Sequence, residues 1–158
     1  MTDCCEVPGT AAAVGTSCPT CGHRSVAVDL GTVKALLTET AMRRVSGTPH
    51  RFCGGSACST VYFDAAGQVF GTRDIRVPVW QKEPFGRRMI CYCFGENEAD
   101  IRAEIQCTGR SEAVERVRAL IAAKRCACEL RNPRGTCCLG DVVRAVAQMA
   151  ATPHASEG

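Results

Sequence analysis

The stretch Arg51–Phe63, RFCGGSACSTVYF, places Cys53 and Cys58 on either side of a glycine-containing turn, just before an apolar run. Its β-branched and aromatic end, STVYF, predicts a buried β-strand. Two thiols just before the start of a strand are candidate metal ligands. Because cysteine metal sites use several thiolates, the pair needs partners elsewhere in the chain.

The CPTC motif supplies candidate partners. Cys18 and Cys21 form a C-x-x-C pair, and the 31 residues 22–52 separate it from the second pair. Each short-spaced pair provides adjacent corners of a tetrahedron, while the intervening segment folds to bring the pairs together. The spacing therefore predicts one structural Zn²⁺ site on Cys18, Cys21, Cys53 and Cys58. The alternative is that these are buried free thiols that pack as small apolar side chains.

Two histidines flank these pairs. His23 follows CPTC and His50 precedes the second pair, so either is a possible replacement for one thiol. Four thiolates already complete a structural zinc site. We therefore expect each histidine to be exposed or to lie beside the site without ligating.

The composition narrows the class of protein. The chain has 13 cysteines among 158 residues, an odd number that does not allow complete pairing within one chain. Its first 15 residues, MTDCCEVPGTAAAVG, lack the basic and apolar segments of a secretory signal, which predicts reduced thiols and a cytoplasmic location. No apolar run approaches the roughly 18 residues of a membrane span. A net charge of +3 without a basic block argues against nucleic acid as a partner.

The residue pattern predicts an α+β protein in two units. The zinc-binding unit is expected at residues 18–78, with a linker at 79–88 and a helical domain at 89–151; residues 1–17 are expected to form a flexible arm and residues 152–158 a disordered tail. A unit of about 60 residues is too small for a robust core, so a metal would supply the missing stability.

Local patterns place the elements of each unit. SVAVDL alternates like a strand, and Asp29 is a plausible N-cap for one helix with Leu30, Val33, Leu37 and Ala41 on a face. STVYF and QVFGTRDIRV read as strands joined by a turn at residues 65–67. The second unit reads as three helices: ENEADIRAEI, then SEAVERVRALIAAK with Val114, Val117, Leu120 and Ile121 inward, then GDVVRAVAQMA with Val142, Val143, Val146 and Met149 inward.

A second set of cysteines lies in the helical unit. Cys91 and Cys93 form a C-x-C pair in ICYCFGENEADI, and the later cysteines occur in CAC and NPRGTCC. In extended chain both thiols of C-x-C point the same way, so both can ligate one iron while two later cysteines bind a second. Helix N-termini and backbone amides near the sulfurs would stabilise the negative charge of such a cluster.

These motifs resemble known metal-binding families. HRFCGGSACSTVYF resembles the TRASH/YHS-type metal-binding knuckle. The C-x-C pair and its interval to Cys126 or Cys128 resemble the BFD-like [2Fe-2S] domain, a compact helical fold. The longer C-x8-C-C element with an internal N-P-x-G is instead similar to the amino-terminal half of CopZ-type copper chaperones, whose C-x-x-C, F-C-x4-C and C-Y-C motifs occur in the same order over about residues 15–150 here.

The CopZ resemblance implies a ligand set for the [2Fe-2S] cluster. It consists of Cys91, Cys93, Cys128 and Cys138, with Cys137 as the alternative fourth ligand and Cys126 as a spare thiol that competes with Cys128. A second zinc site is a further alternative, because zinc accepts the same four thiolates.

Three cysteines fall outside both sets. CopZ chaperones also carry an M-x-C-x-x-C copper loop, a motif that this sequence lacks. Adjacent Cys4 and Cys5 offer another site for Cu(I) or Hg(II), because vicinal thiolates suit soft ions, although a random pair is an equal alternative. Cys107, in IQCTG, is expected to be a buried apolar thiol.

The resemblance implies a metallochaperone for copper or another soft ion, such as mercury, with a structural zinc and a redox-active cluster that reduces Cu(II) to Cu(I). Its partners would be a metal-transporting ATPase or a redox protein. The alternative is a small [2Fe-2S] electron carrier that donates to an enzyme. The sequence has no recognisable Ser-His-Asp set, paired carboxylates or phosphate loop, so at most it predicts metal-ion reductase or electron-transfer activity.

Overall fold

A computed structural model of the chain describes residues 15–151. Four antiparallel strands form one sheet in the order β1-β2-β3-β4, and two more form a ribbon. The strands are β1 (Val26–Val28), β2 (His50–Phe52), β3 (Thr60–Asp64), β4 (Val69–Gly71), β5 (Met89–Cys91) and β6 (Glu96–Asn97). The helices are α1 (Leu30–Leu36), α2 (Glu39–Met42), α3 (Glu98–Thr108), α4 (Ala113–Ala122), α5 (Cys128–Arg131) and α6 (Leu139–Ala151). This mixture of sheet and helices confirms the predicted α+β class.

The helix after Asp29 begins as predicted but is shorter. The Asp29 side chain accepts a hydrogen bond from the Gly31 N–H at 2.7 Å, which satisfies a free donor of α1. The helix ends at Leu36, because Leu37 has extended backbone and Thr38 caps a separate helix, α2. The prediction of one helix through Ala41 is therefore wrong, although both helices face the same core.

The strands β3 and β4 form the predicted hairpin. Gly67 takes a positive φ of 86° in the turn, and the Asp64 carboxylate accepts N–H groups from the turn. The predicted strand over residues 68–77 ends early at Gly71. There the Asp74 carboxylate accepts the Gly71 N–H, and a 3-10 turn, Thr72–Asp74, follows.

The sheet and the first two helices enclose one apolar core. It contains Val33, Leu37, Phe52, Tyr62 and Phe70, each at most 2% exposed. The edge of this core reaches Val79, the first residue of the predicted linker. The core of the first unit thus includes one residue from outside its predicted limits.

A second core lies between the β5-β6 ribbon and the long helices. Ile101, Val117 and Val142 are fully buried in it. Val143 was expected to face inward, but it is 38% exposed. Ala145 is buried in its stead, because the inner face of α6 follows positions 142, 145 and 149.

The two cores are in contact. The buried Tyr62 hydroxyl donates to the Pro133 carbonyl at 2.5 Å, and the buried Thr32 hydroxyl donates to the Glu129 carbonyl at 2.5 Å. Gly135 approaches Thr32 so closely that a Cβ would lie 2.9 Å from its Oγ1. No helix described between residues 15 and 151 is long and apolar enough to cross a bilayer.

Candidate metal centres

The first cysteine set converges on one point. The Sγ atoms of Cys18, Cys21, Cys53 and Cys58 all lie within 4.8 Å of one another. The Cys18–Cys58 distance is 4.0 Å and the Cys21–Cys53 distance is 3.7 Å. A tetrahedral Zn²⁺ with Zn–S bonds of about 2.3 Å holds its sulfurs about 3.8 Å apart. The four thiols therefore fit one zinc ion with little rearrangement.

Two short loops present these sulfurs. The Gly22 N–H donates to the Cys18 carbonyl, and Gly22 takes a positive φ of 75°, which turns the CPTC loop back on itself. The other loop leaves β2 at Cys53 and enters β3 after Cys58. A Cβ on Gly55 would lie 3.3 Å from the Cys21 sulfur, so glycine permits the close approach of this backbone.

Burial and hydrogen bonds give the thiols of the first set unequal pKa values. Burial opposes ionisation of Cys18, but N–H groups of Cys21 and Thr20 donate to its sulfur and lower its pKa to about 7. Burial raises the pKa of Cys53 to about 12. One thiol is thus ready to ionise near neutral pH, while the other needs a bound cation to do so.

The histidines are placed outside this group of sulfurs. His23 is exposed. His50 is buried, its Nδ1 lies 2.7 Å from the Thr48 carbonyl, and its Nε2 faces Asp64 at 3.8 Å. Neither joins the four-sulfur cluster, in agreement with four thiolates completing the site.

The second cysteine set is arranged in two pairs. The Cys138 thiol donates to the Cys91 sulfur at 2.8 Å, and the Cys93 and Cys128 sulfurs lie 3.6 Å apart. Each pair joins one member of C-x-C to one later cysteine. In the part of the chain that the structure describes, this set forms no four-sulfur group as tight as the first.

The four cysteines of the second set lie at or next to the ends of strands and helices. Cys91 ends β5, Cys93 lies in the turn toward β6, Cys128 begins α5 and Cys138 immediately precedes α6. The Cys138 carbonyl accepts the Val142 N–H, so this residue opens the last helix, as the sequence predicts. Its sulfur therefore lies at the positive end of a 13-residue helix.

Backbone N–H groups point at these sulfurs. The Ala127 N–H lies 3.2 Å from the Cys93 sulfur. The pKa of Cys91 is lowered to about 7, chiefly by the Cys138 thiol and also by the N–H groups of Phe94 and Cys93. Donation of that hydrogen bond raises the pKa of Cys138, whereas burial raises the pKa of Cys128 to about 12. This donor set suits soft cations and iron–sulfur clusters.

The cysteines outside these two groups of four sulfurs differ in their exposure to solvent. Cys137 is exposed and Cys126 is half-buried. Cys107 was predicted to be buried, but it is exposed, because Ile101 and Ile105 occupy the inner face of α3 while Cys107 lies on another face. Cys4 and Cys5 lie outside the described residues.

Sequence reasoning missed two residues that support the centres. Lys82 donates from Nζ to the carbonyls of Gly55 and Cys58, both at 2.9 Å. The Tyr92 hydroxyl donates to the Pro78 carbonyl at 2.6 Å and accepts the Trp80 N–H at 2.9 Å. No periodicity or motif marks Lys82, while Tyr92 is marked only as the middle residue of the C-Y-C motif, which assigns it no role.

Comparison with known proteins bears on the first centre and on the fold. Residues 15–76 match the zf_CopZ family model, described as a zinc binding domain. No curated protein sequence matches the chain. The fold is similar to the X-ray structure of the Archaeoglobus fulgidus CopZ N-terminal domain, with a TM-score of 0.67 and 29% sequence identity over 81% of this chain and 95% of that one. The chain thus carries a region similar to the CopZ-type zinc binding domain, within a fold similar to that of the CopZ N-terminal domain.

Proposed function

We propose that this protein is a CopZ-like metallochaperone with a structural zinc in the first centre and a [2Fe-2S] cluster in the second, and that it reduces Cu(II) to Cu(I). The observation that carries the proposal is the difference between the two thiol groups. One is a single tight group of four sulfurs, and the other consists of two apposed pairs.

The arrangement of the first centre favours a structural role for zinc. Cys18, Cys53 and Cys58 are buried, and Phe63 packs against them. Four thiolates leave no open coordination position for a substrate. The Thr20 and Thr60 hydroxyls lie 2.7 Å apart and link the two ligand loops directly. Zinc would hold these loops together.

The paired sulfurs of the second centre favour two iron ions over one zinc ion. A [2Fe-2S] cluster takes two thiolates on each iron, whereas a mononuclear site needs four sulfurs around one point. We assign Cys91, Cys93, Cys128 and Cys138 as its ligands. Cys137 is the less suitable neighbour of Cys138, because it is exposed while the Cys138 sulfur contacts Cys91.

The surroundings of this centre also suit a cluster. A bound [2Fe-2S] cluster supplies one-electron redox chemistry. Backbone N–H groups near Cys91 and Cys93 and the start of α6 stabilise negative charge on the sulfurs. Apolar neighbours such as Ile90 and Val142 exclude water from its inner side.

Copper enters the proposal as the substrate. Reduction of one Cu(II) to Cu(I) takes one electron, which is the number that a reduced [2Fe-2S] cluster gives up. Soft thiolates prefer the product ion, and Cys4 with Cys5 are the thiols that we propose hold it. A metal-transporting ATPase would then receive Cu(I), and a redox protein would restore the electron.

The test is a stoichiometric copper titration without oxygen. Protein reduced with dithionite and freed of excess reductant should regain its oxidised visible spectrum on addition of one Cu(II) per chain. The number of thiols titrated after denaturation and removal of the metals should stay constant, which separates cluster oxidation from disulfide formation. The Cu(I) should stay bound in the parent protein and be lost from a Cys4→Ser/Cys5→Ser variant.

Two results would contradict parts of this proposal. Equal Cu(I) retention by the double variant would remove Cys4 and Cys5 from the pathway. A reduced cluster that does not respond to Cu(II) would favour the other function, a small electron carrier in which zinc only stabilises the fold.

A further inference from the structure

The segment Pro78–Lys82 spans the predicted boundary between the zinc-binding unit and the linker, and two of its residues pack against the two cores. Val79 is 2% exposed and belongs to the core of the first unit. The next residue, Trp80, packs against the core of the second unit. Trp80–Lys82 form a 3-10 turn, so three consecutive residues have defined backbone geometry. The segment therefore connects the two units through fixed contacts.

At one end, Lys82 holds the second ligand loop of the first centre. Its ammonium donates to the carbonyls of Gly55 and Cys58, which close the turn between the ligands Cys53 and Cys58. Four thiolates around Zn²⁺ leave a net charge of −2, so a half-buried ammonium beside the loop is favourable. Hydrogen bonds from a charged donor are among the stronger ones in proteins.

At the other end, Tyr92 joins the segment to the second centre. Its hydroxyl both donates to the Pro78 carbonyl and accepts the Trp80 N–H, so it binds the backbone on either side of Val79. Tyr92 is the middle residue of C-x-C. A displacement of Pro78–Trp80 would therefore act directly on the backbone between Cys91 and Cys93.

From these contacts we infer that Lys82 and Tyr92 are positioning residues that couple the C-x4-C loop of the first centre to the C-x-C turn of the second. The coupling rests on the proposed zinc site, because bound zinc would fix the Cys53–Cys58 loop to which Lys82 donates its hydrogen bonds. Within residues 15–151 the Lys82 ammonium donates to Gly55 and Cys58 and not to Cys91 or Cys93, so its effect on the C-x-C turn is transmitted through the segment and Tyr92.

The other two ligands of the second centre have separate supports. The loop from Cys128 to Cys138 is held by the Tyr62–Pro133 and Thr32–Glu129 hydrogen bonds. Neither bond includes a residue of Pro78–Lys82. The coupling therefore predicts an asymmetric response: loss of the Lys82 contacts loosens the backbone of the C-x-C turn, whereas the backbone of the Cys128–Cys138 loop stays held by its two hydrogen bonds to the first unit.

The experiment compares three variants of the zinc-loaded full chain by amide hydrogen exchange. Lys82→Met removes the charge and both hydrogen bonds but keeps the length of the side chain, and Tyr92→Phe removes the hydroxyl alone. Lys34→Met is the matched control, because Lys34 is exposed on α1. We expect residues 89–94 to exchange about tenfold faster in both Lys82→Met and Tyr92→Phe, while residues 128–138 and the control stay at parent rates.

The double variant tests whether both residues act through one path. Lys82→Met/Tyr92→Phe should exchange no faster at residues 89–94 than Tyr92→Phe alone. Parent rates at residues 89–94 in Lys82→Met, or equal acceleration in both ligand segments, would overturn the inference. Zinc content is measured in each sample. If the parent protein itself contains no zinc, the proposed zinc site is wrong, and this outcome is distinct from failure of the coupling.

Discussion

Cys53 illustrates how a buried thiol depends on its metal. It has no exposed surface, and burial raises its pKa to about 12, so at neutral pH the isolated group stays protonated. Zinc binding needs the thiolate, and the ion supplies the charge that compensates for its burial. A serine in this position would leave a polar group without that compensation.

Replacement of Cys53 should therefore remove the first metal. We expect Cys53→Ser to lose about one zinc per chain and to unfold the first unit, while the colour of the second centre persists. Metal analysis and far-ultraviolet circular dichroism measure both effects. Cys107→Ser is the matched control, because Cys107 is exposed and lies outside both sets. Unchanged zinc in Cys53→Ser would exclude this residue as a ligand.

The adjacent cysteines 137 and 138 allow an equally direct comparison. Cys138 is 1% exposed and its thiol contacts the Cys91 sulfur, whereas Cys137 is exposed. We expect Cys138→Ser to bleach the protein and Cys137→Ser to keep most of its visible absorbance. The reverse result would mean that the ligand register is wrong by one residue.

Sequence predicted some of these residues well and others poorly. Pair spacing was enough to bring Cys18, Cys21, Cys53 and Cys58 together, because short loops on adjacent strands leave few other arrangements. It could not distinguish Cys137 from Cys138, since one residue of rotation before α6 decides which sulfur points inward. The prediction that Cys107 is buried was wrong, because the apolar character of a thiol does not show which face of α3 it occupies.

Among the elements, α6 shows that a rotation by one residue decides which side chains of a helix are buried. Val142 is fully buried and Val143 is 38% exposed, although both were expected to face inward. Val142→Ala should lower the free energy of unfolding by about 2 kcal/mol, because it removes two buried methyl groups and leaves a cavity. Val143→Ala should change it by less than about 0.5 kcal/mol. Urea unfolding measures the free energy of unfolding of both variants. Equal losses would contradict this orientation of α6.

A buried carboxylate joins α3 to the loop before β5. Glu98 Oε2 accepts N–H groups from Gly86 and Arg88, and Oε1 pairs with the Arg88 guanidinium. Burial opposes ionisation of Glu98, but these hydrogen bonds outweigh it and hold its pKa below the usual 4.5. The folded state therefore binds this proton less readily than the unfolded state, so the contribution is complete above about pH 4.5 and is lost below it.

Glu98→Gln should accordingly destabilise the protein by about 2 kcal/mol at pH 7. The difference from the parent protein should shrink as the pH falls below 4.5. Urea unfolding at both pH values measures this, and comparison at equal pH cancels the effect of acid on the metal sites. Glu112→Gln serves as the control, because its pair with Arg110 is exposed. A difference that grows on acidification would contradict the assigned hydrogen bonds.

Elements were predictable where the signal was local. The Asp29 cap, the β3-β4 hairpin and the three long helices follow from capping, turn and periodicity signals within each segment. The break at Leu37 was not predicted, because it depends on an antiparallel bridge to Ile75, far along the chain. The short helix α5 was also missed, since four residues do not establish a period.

At the scale of the whole molecule, two small cores support each other. Neither Tyr62 nor Thr32 completes its hydrogen bonding within the first unit; both donate to carbonyls of the loop between Cys128 and Cys138. Composition and motif order predicted an α+β protein with two thiol sets. They did not predict that Val79 and Trp80 would pack against the two cores, because long-range packing leaves no local signature in a linker-like composition.

We propose that the two thiol groups hold different cofactors. Metal and sulfide analysis of protein purified without oxygen, combined with its visible spectrum, tests this most directly. We expect one zinc, two irons and two acid-labile sulfides per chain in a coloured protein that bleaches on one-electron reduction. A colourless protein with two zinc ions per chain and no iron would contradict it.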